Sequence, residues 1–180
     1  EQIYEAFYLA RECGFDNINM DLIVGLPGEN MEDVRYTLEE IMKLSPDNLT
    51  VHSLAIKRAS RLHSWITENG IETLNNTDKT MDIAAKAAED MELKPYYLYR
   101  QKNMSGNFEN VGYAYPGKEG IYNILIMEEK QTIVALGAGS ITKVVLPDGR
   151  IERCDNVKDV GLYIEKIDEM IERKEQLLTN

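Results

Sequence analysis

Two kinds of apolar spacing alternate along the first half of this chain, and that alternation admits few folds. Residues 2–13 place Ile3, Phe7 and Ala10 on one helical stripe, and Gly14 stands where a helix C-terminal glycine belongs. Residues 18–24 form an apolar run too short for a core helix and read as a strand. Asn30, followed three residues later by Asp33, has the form of a capping box. Met31, Val34, Leu38, Ile41 and Met42 line the helix it opens, and Ser45-Pro46 stops that helix. Residues 49–56 predict a second strand and the polar stretch 58–76 a loop. Residues 78–92 predict an Ala-rich helix with Met81, Ala84, Ala85, Ala88 and Met91 on one side. Helix, strand, helix, strand, loop, helix implies parallel strands with covering helices.

The second half is patterned differently. Residues 96–101, 121–127, 132–136 and 141–146 read as strands, and Pro147-Asp148-Gly149 is a turn signal that returns residues 150–154 as a hairpin partner. Asn156 and Asp159 cap a last amphipathic helix carrying Val160, Ile164, Ile167 and Ile171, whose Glu- and Lys-rich end is expected to fray. There is no internal repeat.

Charge excludes some functions. A net charge of −11 and a pI near 4.7 argue against a nucleic-acid surface, which needs a dominant basic face, and against adsorption to anionic membranes. No apolar run approaches the ~20 residues of a membrane span. The opening residues carry two acids and no basic flank, unlike a secretory signal, and read as a helix entered mid-chain in a longer protein. Cys13 and Cys154 fit no metal-ligand spacing and read as reduced thiols of a cytoplasmic protein.

Chemistry in parallel α/β architectures collects at the carboxyl ends of strands. The stretch NMDLIVGLPGEN (residues 19–30) puts one acid, Asp21, in an apolar strand that ends at Gly25 and Gly28. A buried carboxylate needs a partner, so Asp21 either has a structural one or faces a ligand. The glycines and Pro27 fit a rigid strand-to-helix turn as well as a close approach to a ligand. Gly137 and Gly139 in VALGAGSITKVV fit a structural bulge better than a phosphate loop, since no Gly-Lys-Ser/Thr follows. Lys57, Arg58, Arg61 and His63 form a local basic cluster that either holds carboxylates or balances nearby acids. His52 and His63 have no carboxylate at triad or metal spacing. Tyr96, Tyr97, Tyr99, Tyr113 and Tyr115 either line a pocket for a flat ligand or pack at a seam between lobes.

The stretch INMDLIVGLPGENMEDVRYTLEEIMKLSPDNLTVHSLAI resembles the fifth and sixth strand segments of the oxygen-independent coproporphyrinogen III oxidase family. PYYLYRQKNMSGNFENVGYA and ALGAGSITK resemble the C-terminal half of its coproporphyrinogen dehydrogenase branch, in the same order. The resemblance implies an α/β fold: the C-terminal part of a partial (β/α) barrel over residues 1–93, followed by a smaller α+β extension over 94–180. It implies a radical S-adenosylmethionine enzyme with a [4Fe–4S] cluster, in which a 5′-deoxyadenosyl radical leads to oxidative decarboxylation of propionates to vinyls in haem synthesis. Its partners are then a tetrapyrrole substrate and an electron donor such as flavodoxin or ferredoxin.

Carried over by motif, the resemblance places Asp21, Ala55 and Ile141 at the S-adenosylmethionine site. Arg58, Arg61 and Arg100, with Lys57 and Lys102 nearby, are the expected clamps for substrate propionates. It assigns no catalytic residue and no metal ligand to this chain, which lacks the family's Cys-x3-Cys-x2-Cys and Gly-Gly-Thr-Pro-like loops. Those loops lie upstream in the family, so 180 residues like these are expected to be inactive alone. A haem-binding or haem-transfer paralogue on the same scaffold is the alternative.

Overall fold

The structure, a computed structural model, describes residues 1–55, 60–69, 78–99 and 109–179. These divide into two compact units, residues 1–120 and 121–180.

The first unit contains the helices α1 (Gln2–Glu12), α2 (Met31–Leu44), α3 (Arg61–Asn69) and α4 (Asp78–Asp90). Its four-stranded sheet is built from β1 (Asn19–Val24), β2 (Asn48–Ser53), β3 (Lys94–Tyr99) and β4 (Asn110–Ala114), in the order β1-β2-β4-β3. β1 and β2 are parallel and joined through α2, as the alternation predicts, whereas β4 and β3 join antiparallel. The capping box forms: the Asn30 side chain accepts from the Glu32 amide at 2.7 Å, and Asp33 accepts from the Asn30 amide at 2.9 Å. After β1 the chain turns through Gly25 and Gly28 at φ +83° and +82°, a backbone region that residues with a Cβ rarely adopt.

One face of the sheet is apolar and covered. Leu22 and Val24 of β1, Leu49 and Val51 of β2 and Tyr113 of β4 pack with Val34, Leu38 and Ile41 of α2 and Ala84, Ala87 and Ala88 of α4. Small alanines let α4 approach closely, and side chains such as Leu49, Val51 and Leu38 are at most 2% exposed. Burial of this kind stabilises by roughly 1.5–3 kcal/mol per large side chain.

The second unit has α5 (Ile121–Met127), a hairpin of β5 (Ile141–Val145) and β6 (Ile151–Asp155), α6 (Val160–Glu165) and α7 (Ile167–Thr179). Thr142, Val144, Cys154 and Met170 form its buried centre. The Pro147-Asp148-Gly149 turn is present, with Asp148 accepting from the Arg150 amide at 3.0 Å.

Several expectations need correction. Residues 121–127 are helical, not a strand. Residues 132–136 form no strand and make one bridge, Ile133 to Lys143. The stretch 58–76 contains a helix, α3, and the last helix is two, α6 and α7, with Asp159 as the N-cap of α6. The region expected to begin at 94 contributes its first two strands to the same sheet as β1 and β2.

Candidate functional site

The parallel pairing of β1 and β2 turns the acid of β1 toward open space. Leu22 and Val24 point into the core, so period-2 alternation puts Asn19, Asp21 and Ile23 on the other face. The Asp21 side chain is 63% exposed. The expectation of a buried carboxylate is therefore wrong: the strand is apolar on one face only. A face-specific reason still holds the acid in place. Asn19 Nδ2 donates to Asp21 Oδ1 at 2.8 Å, and His52 Nε2 lies 3.6 Å from the same oxygen. The Asp21–His52 proximity was invisible in linear spacing, because it arises from the register that sets Ile23 beside His52 and Asp21 beside Thr50.

That register continues across the sheet. Thr50 pairs with Gly112 and Gly112 with Tyr97, so Asp21, Thr50, Gly112 and Tyr97 form one row over four strands. Thr50 is 2% exposed and donates its hydroxyl hydrogen to Asn19 Oδ1 at 3.0 Å. The Tyr97 ring lies over Gly112: a Cβ there would sit 2.0 Å from Tyr97 Cε1. Burial pushes the Tyr97 hydroxyl above the usual phenol range, its hydrogen bond with Thr50 opposes this, and the Asp21 carboxylate adds a smaller upward push. A bulge between Pro95 and Tyr97 packs the Tyr96 ring edge-on against Tyr97, centroids 4.9 Å apart.

The other expected site residues are distributed as follows. Ala55 is half-buried just past the end of β2 and belongs to the first unit with Asp21. Ile141 opens β5 in the second unit and is 49% exposed. It follows a turn at Gly137–Ser140 tied from several sides. Ser140 Oγ donates to the Gly137 carbonyl at 2.7 Å, and Asn156 Nδ2 donates to that carbonyl and to Ser140 Oγ, each at 2.9 Å. The glycines there, at φ +96° and +72°, serve a cross-linked turn rather than the expected bulge. Arg61 is exposed at the start of α3. Arg58 and Arg100, with Lys57 and Lys102, lie outside the described residues. All five clustered tyrosines belong to the first unit.

A cavity of about 1000 Å³ opens between α4 and β3 among Ala85, Leu93, Pro95, Leu98 and Tyr113. Asp21 does not line it; of its two lysines, Lys86 and Lys94, Lys86 is paired with Glu89 and Asp90. The polar row has the better-placed donors and acceptors.

Iron–sulfur clusters are held by thiolates, and the chain has two cysteines, Cys13 exposed and Cys154 buried, in different units. Among the described residues no group of three or more His, Cys, Asp or Glu side chains is placed to hold a metal ion. The cluster therefore does not fit these residues. The exposed Asp21 carboxylate, with one oxygen held by Asn19, can accept hydrogen bonds from hydroxyl or amine donors. Among the described residues no helix is long and apolar enough to cross a membrane.

Comparison with known proteins agrees with this architecture. No family model matches the chain. It is 43% identical over 175 residues, 97% of its length, to the oxygen-independent coproporphyrinogen-III oxidase-like protein HemZ of Bacillus subtilis, covering 35% of that protein. It is 25% identical over 139 residues to the heme chaperone HemW of Lactococcus lactis, covering 77% of this chain and 34% of that one. The structure of coproporphyrinogen III oxidase (HemN) from Escherichia coli, described as a radical SAM enzyme, superposes with a TM-score of 0.62 at 19% identity, over 93% of this chain and 37% of that one. The chain thus spans about a third of the length of these relatives.

A parallel β–α–β pair with helices on one face, overlaying that structure, defines the C-terminal part of a partial (β/α) barrel followed by an α+β extension. The chain belongs to the oxygen-independent coproporphyrinogen-III oxidase-like family.

Proposed function

We propose that the full-length protein containing this chain is an oxidoreductase that oxidatively decarboxylates propionates of coproporphyrinogen III to vinyls. The observation that carries this reading is the 43% identity to the oxidase-like HemZ over 97% of the chain. S-adenosylmethionine, activated by a [4Fe–4S] cluster held elsewhere in the full-length protein, supplies the one-electron hydrogen-abstracting chemistry. This chain's own residues bind and orient. Asp21 accepts hydrogen bonds from the adenosyl part of the cofactor, with one carboxylate oxygen held by Asn19. Ala55 contributes apolar contact to the same group. Arg61 offers a guanidinium to a substrate propionate, a geometry suited to bidentate pairing, and Arg58 and Arg100 share that role. Electrons come from a small donor protein such as flavodoxin or ferredoxin, and the enzyme works in the cytoplasm. The isolated 180 residues are inactive.

The similarity to heme chaperones, 25% identical over 77% of the chain, supports a second reading as a haem-binding paralogue. Anaerobic turnover of coproporphyrinogen III by the reconstituted full-length protein separates the two. Protoporphyrinogen formation by wild type, reduced at least about tenfold in a folded Asp21→Ala variant, is the expected result; a tenfold loss corresponds to about 1.4 kcal/mol. No turnover together with tight haem binding would favour the chaperone reading.

A further inference from the structure

We propose that His52 is a positioning residue for Asp21: its Nε2–H and the Asn19 amide converge on one carboxylate oxygen and leave the other to the ligand. The proposal rests on the reading that the Asp21 face receives the adenosyl end of S-adenosylmethionine.

Sheet register brings these side chains together. Asp21 pairs with Thr50, and Ile23 with His52, along parallel strands. His52 therefore stands two residues beyond the partner of Asp21, and alternation sends both side chains out from the open face of the sheet. There His52 Nε2 lies 3.6 Å from Asp21 Oδ1, with 32% of the His52 side chain exposed. Asn19 Nδ2 donates to the same oxygen at 2.8 Å. The Asn19 amide is held in that sense by its other end, because its Oδ1 accepts from the Thr50 hydroxyl at 3.0 Å. Asp21 Oδ1 thus faces donors from two strands, and a carboxylate oxygen has lone pairs for both. Among the described residues, Asp21 Oδ2 has no hydrogen-bond partner.

The chemistry of an imidazole suits this role. At 3.6 Å the contact is an ion-pair distance, longer than a hydrogen bond. Polar contacts of a site are often long before the ligand seats and tighten once it does. A carboxylate beside Nε2 selects the ring tautomer with hydrogen on that nitrogen, and the protonated ring carries the same hydrogen, so donation does not depend on the charge of the ring. A carboxylate held by one donor still swings about its bond to Cβ. Held from two strands, it presents Oδ2 in one direction. Orientation set in advance removes an ordering cost from binding. His52 therefore raises ligand affinity through Asp21, without touching the ligand.

The test uses the reconstituted full-length protein and reads the dissociation constant for S-adenosylmethionine by equilibrium binding, with the unfolding temperature measured beside it. His52→Leu keeps the bulk and removes the donor, so affinity should weaken about 3- to 10-fold, the range expected for one lost hydrogen bond. His52→Gln carries an amide nitrogen at the same depth along the side chain as Nε2 and should return affinity to near wild type. His52→Asn, whose amide nitrogen matches Nδ1 instead, should behave like His52→Leu. In an Asp21→Ala background, His52→Leu should have no further effect. Equal losses in His52→Leu and His52→Gln would overturn the positioning role, as would the same loss with and without Asp21. Unchanged affinity in His52→Leu when Asp21→Ala binds weakly would overturn it too. Unchanged affinity in Asp21→Ala itself would instead remove the reading of the site, and the proposal with it.

Discussion

Glu40 shows how a single half-buried carboxylate ties two helices together. It accepts from the Tyr4 hydroxyl of α1 and from Lys43 one turn along α2. Lys43 first, and Tyr4 second, hold its carboxyl below the usual range. The ionised form therefore favours the folded state. Its contribution is complete above the unfolded value of about 4.3 and is lost as pH falls through the lower folded value. Glu40→Gln should lower the unfolding temperature at pH 7, and the gap to wild type should close on acidification toward about pH 3. A gap of constant size from neutral to acidic pH would contradict this. The same scale shows what can be read from sequence. Asp21 stands out as an acid in an apolar run. Asn19, Thr50 and Gly112 do not, because nothing local marks them, and Tyr97 stands out only as one of five clustered tyrosines. What brings them near Asp21 is the pairing of strands, and register is a property of the folded sheet.

Among the elements, α2 is the one whose end signals agree best with the structure, from the Asn30 capping box to the left-handed Ser45. Of its expected apolar stripe Val34, Leu38 and Ile41 are buried, whereas Met31 and Met42 are exposed and Leu44 takes a buried place instead. Two substitutions should separate its local and tertiary stabilisation in urea unfolding. Asn30→Ala removes the cap and should cost about 1 kcal/mol. Leu38→Ala removes a side chain that is 2% exposed and should cost about 2–5 kcal/mol through the cavity it leaves. Equal costs would mean that the cap, not the core contact, anchors this helix. By contrast, α5 is misread as a strand because Ile121-Tyr-Asn-Ile-Leu-Ile-Met is a short apolar run with neither period clearly expressed, and composition alone then favours the wrong element. The 132–136 stretch fails for another reason. It has strand-like residues, but the only pairing described for it is the single bridge at Ile133. Strand propensity without a partner does not make a sheet.

For the molecule as a whole, the polar row has a thermodynamic consequence. Its side chains come from β1, β2 and β3, with Gly112 of β4 beneath them, and residues 21 and 97 are far apart along the chain. No unfolded or half-assembled sheet presents them together. A ligand seated there binds the native state alone, so its binding free energy adds to that of folding. At a concentration 100 times its dissociation constant the gain is about 2.7 kcal/mol. The unfolding temperature of the full-length protein should climb with S-adenosylmethionine concentration, and Asp21→Ala should flatten that climb; an equal climb in both would place the binding elsewhere. Mass action also works in reverse. A substitution in the apolar core that leaves the row untouched, such as Leu49→Ala, depletes the native population and weakens apparent affinity. In this sheet, then, loss of binding in a destabilised variant measures the scarcity of folded molecules before it measures contact with the ligand.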